Sequence, residues 1–123
     1  MKAPEGEGLI QLNQNGKKSI YYAPRKRMLS NGESRVRLSK QRSKLFSHLI
    51  AHPDEILSRT DVFRLLFPST PLPENEYEAF KVLKLTTGII TQLRNKLKSV
   101  DPTLAESVKT IKGVGITYVP QAK

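Results

Sequence analysis

Apolar residues in this chain keep two different spacings, and the spacing changes near residue 39. Before that point short runs alternate. "GLIQLN" alternates loosely and is followed by Asn15-Gly16, the strongest short hairpin signal. "KSIYYA" is β-branched and aromatic and ends at Pro24; "RKRML" leads to a second pair, Asn31-Gly32. "SRVRL" then alternates basic with apolar residues, as a half-buried strand does. The pattern predicts an antiparallel meander of up to four strands.

From Ser39 the period is helical. Ser39 is placed to cap a helix whose Leu45, Phe46, Leu49 and Ile50 share one face, and Pro53 stops it near His52. "EILS" is a short extended link. Ser58 and Asp61 form a capping-box pattern before Val62, Phe63, Leu66 and Phe67, a second helix that Pro68 ends. "PSTPLPENE" is a loop. A third helix is predicted between Tyr77 and Val100, with Val82 or Leu83, Thr86, Ile90, Leu93 and Leu97 inward. Its Lys81 to Lys98 portion would be about 27 Å long. Gly88 interrupts that portion at a cost of roughly 1 kcal/mol against alanine, and marks a kink or a close approach of backbone to something else. "SVDPTLAE" is expected to be a linker, and "SVKTI" and "GITYV" two strands joined through Lys112 to Gly115.

Charge sharpens this outline. The 123 residues carry 21 Lys and Arg against 11 Asp and Glu, a net charge of +10. Such an excess favours phosphate-bearing partners. The signs are segregated: Ala79 to Lys98 holds five basic residues and no acidic one, while Glu74, Glu76 and Glu78 cluster just before it. Those three carboxylates suit a helix N-terminus. The chain has no cysteine, hence no disulfide framework or thiolate metal site. No apolar run approaches the ~18 residues of a membrane span.

Catalytic constellations are missing. There is no Gly-x-Ser-x-Gly elbow. His48 and His52 have metal-compatible spacing, but Leu49 stands where a zincin has glutamate, so they read as surface histidines. Gly113-Val114-Gly115 lacks the third glycine and following helix of a dinucleotide loop, and a turn explains it better. No enzyme, cofactor or metal is expected.

A short helix, a connection and a longer helix with an acid-free polar face suggest a helix-turn-helix whose second helix enters the major groove of DNA. Thr87, Thr91, Gln92, Arg94 and Asn95 would face base edges and phosphates, with arginine able to grip guanine bidentately. Lys84, Lys96 and Lys98 would meet phosphate. The terminal hairpin would act as a wing whose tip lysine, Lys112, is drawn to the minor groove or backbone, with Gly113 and Gly115 allowing the tight turn and Ile116 and Tyr118 anchoring it.

Three stretches in this order, "RLSKQRSKLFSHLIAHPDEILSRTDVFRLLF", "IITQLRNKLK" and "VKTIKGVGITYV", resemble the OmpR/PhoB-type winged-helix DNA-binding domain of bacterial transcription regulators. The resemblance covers Leu9 to Pro120. It implies an α+β winged helix-turn-helix: a four-stranded antiparallel N-terminal sheet, three helices and a C-terminal hairpin wing. Residues 1–8 would be a flexible lead and 121–123 a tail. It implies sequence-specific binding of double-stranded DNA in the bacterial cytoplasm, at the nucleoid, often as two copies on tandem half-sites.

By position, the resemblance brings Lys84, Thr87, Gly88, Thr91, Gln92 and Arg94 to DNA, and Lys112 at the wing tip; Asn95, Lys98 and Lys109 complete the expected interface. The Glu74, Glu76 and Glu78 stretch corresponds to a loop that contacts RNA polymerase or a neighbouring subunit. Two departures block transfer of base preference. Ile116 replaces the usual wing tyrosine, and Ile89, Thr91 and Gln92 occupy a commonly arginine-rich stretch. Most members also carry a receiver domain before the module or a membrane segment after it; this sequence holds neither, which fits either an excised domain or a regulator without a built-in phosphorylation switch. Composition alone also fits an RNA- or ribosome-associated domain, in which Tyr21 and Tyr22 would have to stack on bases. A winged helix that binds protein instead of DNA is a third possibility.

Overall fold

The structure is a computed structural model, and it describes residues 10–12 and 20–119. The chain runs β1 (Ile10–Gln11), β2 (Tyr21–Ala23), β3 (Met28–Ser30), β4 (Arg35–Arg37), α1 (Lys40–Ala51), β5 (Leu57–Ser58), α2 (Arg59–Leu66), α3 (Glu76–Val100), α4 (Pro102–Ser107), β6 (Val108–Ile111) and β7 (Gly115–Tyr118). The first four strands form the expected antiparallel meander in the order β1-β2-β3-β4. A second sheet, β5-β7-β6, joins the link between α1 and α2 to the C-terminal hairpin. The Asn15-Gly16 turn lies outside the described residues.

Local chemistry explains the helix starts. Ser39 accepts from the Arg42 amide at 3.3 Å. Ser58 and Asp61 make the reciprocal capping box, each bond 3.1 Å long. Asn75 caps α3 through the Glu78 amide, so α3 begins with Glu76. Glu76 and Glu78 therefore stand in the first helical turn, where the helix dipole favours them, and of the three acidic residues Glu74 alone belongs to the connecting segment.

One expectation fails. The stretch written as a linker, "SVDPTLAE", ends α3 and builds a fourth helix, α4. Asp101 accepts from the Thr103 amide, Pro102 occupies the first turn, and Leu104 and Ala105 are buried. Proline there needs no amide partner and its ring presets a helical φ. Burial of two apolar side chains against α3 stabilises a helix too short to persist alone.

The core lies where both sheets meet the helices. Tyr22 and Leu29 come from the first sheet and Ile20 and Leu38 from residues flanking its strands; Leu45, Phe46, Leu49 and Val62 from α1 and α2; Leu93 and Leu97 from α3; Ile116 and Tyr118 from the wing. Tyr22, Phe46 and Tyr118 form an edge-to-face chain with ring centroids 5.0 and 6.2 Å apart. Such geometry matches ring quadrupoles. The buried Tyr22 hydroxyl donates to the Ser43 carbonyl oxygen at 3.1 Å and also meets the Ser43 and Ser47 hydroxyls. The meander is thereby bound to α1 by polar as well as apolar contacts. On α3 the inward row is Thr86, Ile90, Leu93, Leu97 and Val100, and Thr86 satisfies its hydroxyl on the Leu83 carbonyl at 2.6 Å.

Burial raises the Tyr118 phenol above its ordinary value. Because the raised value belongs to the folded state, its stabilising share is complete below the unfolded pKa and fades as pH climbs through the folded one. Tyr118→Phe should therefore flatten the loss of urea stability that the parent shows as the pH rises above about 10. Parallel melts of the two proteins across that range check this, and equal slopes would contradict it.

Candidate nucleic-acid interface

The polar face of α3 is left open to solvent by the packing of its opposite face. Lys84, Thr87, Gly88, Thr91, Gln92, Asn95 and Lys98 are exposed, and Arg94 is half-buried. Lys84, Gly88, Thr91, Asn95 and Lys98 follow one another at helical spacings of three or four, so they form a single outward stripe. Among the described residues, no acidic side chain pairs with Lys84, Lys96, Lys98 or Lys112. Lys84 Nζ instead sits 5.4 Å from the centre of the Phe80 ring.

Gly88 has no task inside the fold. A Cβ built there meets nothing within 4 Å, and its φ is not left-handed. The helix continues through it from Glu76 to Val100.

The wing begins where β6 leaves α4. Val114 donates to the Ile111 carbonyl at 2.9 Å, closing a turn over Lys112 and Gly113. Gly113 has φ +77°, the left-handed value that the third position of a type II turn requires. Gly115 has a different task from the one expected. It lies in β7, opposite Ser58 of β5, and a Cβ there would stand 2.8 Å from the Leu57 carbonyl carbon and the Ser58 Cα. One glycine makes the turn; the other lets the wing lie against β5.

Between α3 and the wing runs a groove of about 560 Å³. Thr87, Thr91 and Arg94 line one wall, and Thr110, Lys112 and Val114 line the other. Arg94 and Lys112 thus lie on one side of the molecule, and Thr87 and Thr91 are not interior. None of the lining residues is acidic. Lys109 is exposed but outside the groove, since alternation along β6 turns it away from Thr110. Lys84, Gly88, Gln92, Asn95 and Lys98 also lie beyond the groove, on the outer surface of α3.

Two side chains expected to meet DNA are already engaged within the protein. The Gln92 oxygen accepts from Nη2 of Arg42 on α1, which leaves its amide hydrogens to donate outward. Arg94 spends its guanidinium on the wing strand. Nε and Nη2 donate to the Val108 carbonyl at 3.2 and 2.9 Å, and Nη2 donates to the Thr110 hydroxyl at 2.8 Å.

The floor of the groove holds residues the sequence did not single out. Ser58, Arg59 and Thr60, at the start of α2, reach it. The capping box locates that helix start correctly, but its position beside α3 is a tertiary fact that no local pattern carries. Elsewhere, the His48 and His52 rings stack at 4.5 Å and His52 lies 3.6 Å from Glu55. No group of three or more His, Cys, Asp or Glu able to hold a metal occurs among the described residues. Nor, among them, is any helix long and apolar enough to cross a membrane.

Solved structures share this arrangement. The C-terminal domain of the nisin resistance regulator NsrR matches with TM-score 0.62 and 23% identity, over 89% of this chain and 97% of that one. The DNA-binding domain of E. coli CadC matches with TM-score 0.66 and 19% identity, over 90% and 94%. The chain has a winged-helix fold resembling the OmpR/PhoB type. The AdeR DNA-binding domain, solved with an intercistronic region, matches with TM-score 0.61 and 16% identity, over 87% and 99%. No protein-family model matches the chain, and no curated protein does.

Gly115→Ala should force β7 away from β5. We expect a loss of about 1–3 kcal/mol in urea unfolding, the usual range for an overpacked contact, and faster amide exchange at Ile116. An alanine variant as stable as the parent would show that β5 and β7 yield without cost.

Proposed function

We propose that this domain binds double-stranded DNA with sequence preference and serves as the DNA-contacting part of a cytoplasmic transcription regulator. One observation carries the proposal: an acid-free α3 face and a lysine-tipped wing border the same groove. A duplex laid along this side would receive α3 in its major groove and Lys112 at the adjoining minor groove or backbone. Lys84 and Lys98 would neutralise phosphates, and Thr87, Thr91, Gln92 and Asn95 would stand at base edges. Gly88 would be the point where the α3 backbone comes nearest the bases. The start of α2 adds Arg59 and amide hydrogens suited to a phosphate. The fold shared with AdeR, solved on DNA, supports this assignment.

The RNA alternative loses its aromatic platform, because Tyr22 is fully buried and hydrogen-bonded to α1. A protein contact is compatible with DNA binding. Glu74, Glu76 and Glu78 surround Tyr77 and Phe80, which are 68% and 57% exposed at the free end of α3. That acidic and aromatic end suits a basic partner, either RNA polymerase or a second copy on a tandem half-site.

Selection of bound duplexes from a random DNA pool tests the proposal, and failure to enrich any sequence would end it. On the selected duplex, log affinity should fall against log salt with a slope near −4.5 if about five phosphates are neutralised. Lys112→Ala should lower affinity evenly across sequences and make that slope shallower by about one.

Gly88→Ala should move stability and binding in opposite directions. Alanine adds about 1 kcal/mol of helix propensity, while its methyl group keeps α3 from the bases and weakens binding to the selected duplex. Thermal melts and fluorescence anisotropy on one preparation check both signs. Tighter or unchanged binding would place the closest approach elsewhere.

A further inference from the structure

Arg94 holds three hydrogen bonds within the protein, all to the strand that leads into the wing. Its acceptors, the Val108 carbonyl and the Thr110 hydroxyl, lie 14 and 16 residues away in the chain. Arginine has five N–H donors, and a bidentate grip on guanine needs two of them along one edge. The Nε edge is taken by Val108. The other edge includes Nη2, whose two hydrogens are used by Val108 and Thr110. Only Nη1 has both hydrogens to offer a duplex, enough for one phosphate oxygen and too few for a two-point grip on a base without releasing the strand.

We propose that Arg94 is a positioning residue: it locks the wing to the middle of α3 and thereby fixes where Lys112 stands relative to the α3 face. This rests on the DNA-binding assignment only for its effect on affinity; the lock itself is a property of the free protein.

Other restraints on the wing act on its second strand, from the turn end at Gly115 to Val119. β5 pairs with β7 at Ser58↔Gly115 and Leu57↔Ile116, and Val119 donates to the Ser107 carbonyl at 2.8 Å. These hold β7. On β6, Val108 is buried and Ile111 half-buried, but Lys109 and Thr110 between them are exposed, so the middle of this strand is held by its ladder with β7 and has no buried side chain of its own. The guanidinium supplies what packing does not, a direct tie from α3 to the first wing strand at Val108 and Thr110. Lysine cannot replace it, because a single ammonium has no planar fork to span a carbonyl and a hydroxyl together.

The test uses the whole chain in two measurements. The first is amide exchange on the DNA-free protein. Arg94→Ala and Arg94→Lys should both speed exchange across residues 109–117 while the α3 amides around Leu93 and Leu97 keep parental protection. Parental exchange in the wing of either variant would overturn the proposal. The second is a double-variant cycle on the selected duplex with Lys112→Ala. In the parent, Lys112→Ala should reduce affinity by about tenfold, and in the Arg94→Ala background by less than about threefold, as coupled sites do. Base preferences across the site should keep their pattern. If Arg94→Ala instead abolishes preference at one base pair and leaves the Lys112→Ala effect whole, Arg94 is a base-reading residue and the proposal is wrong. If the parent binds no duplex, the functional assignment fails, and the exchange result alone decides whether the lock exists.

Discussion

The pairing of two-residue β5 with β7 is the constraint on which the working surface depends. The wing is the last element of the chain and α2 lies in its middle. Leu57 and Ser58 bring them together through a short antiparallel ladder that a side chain at position 115 would push apart. Ser58 also caps α2, so one residue sets both the start of that helix and the seat of the wing. Since α2 packs on α3, the groove has a floor and two walls that share one frame.

Packing then divides the labour on α3. Its inner row is apolar apart from Thr86, whose hydroxyl is satisfied within the helix. That row begins at Thr86, and the nearly three turns before it carry no buried side chain. The helix thus projects from the body by its N-terminal end, where acidic residues and rings cluster, and is gripped by its C-terminal half. The aromatic chain Tyr22, Phe46 and Tyr118 runs from the meander through α1 to the wing, so the first sheet is part of the same core.

Most of this architecture was legible in the sequence because it is written locally. The change of period at Ser39, the Ser58 and Asp61 box, Pro53 and Pro68 as stops, and two glycines in a β-branched run each depend on neighbours a few residues apart. α4 was not legible for the converse reason. Six residues that begin with a proline and end on two polar residues look like a linker, and only contact with α3 makes them a helix. The same limit applied to the interface. Exposure of Lys84, Thr87, Thr91 and Asn95 follows from helical spacing, whereas the attachment of Arg94 to Val108 and of Gln92 to Arg42 depends on elements 14 and 50 residues distant. Resemblance pointed to the position of Arg94 but not to the direction of its hydrogen bonds.

Asn31 illustrates how a turn residue can serve a remote element. Its side-chain oxygen accepts from the Glu33 and Ser34 amides at 2.9 and 2.7 Å, which shapes the turn between β3 and β4. Its nitrogen donates to the Val100 carbonyl at 2.9 Å, at the last residue of α3. An asparagine followed by glycine is prone to lose its side-chain amide. The unhindered glycine nitrogen, which here must first leave its 3.2 Å bond to the Ser30 hydroxyl, attacks the side-chain carbonyl carbon and expels ammonia, and water then opens the ring to a carboxylate. The resulting carboxylate would present negative charge to a carbonyl oxygen already lacking an intrahelical partner. Slow chemical ageing of the first sheet would therefore be felt at the far end of the helix that faces the groove, without any change in the residues lining it.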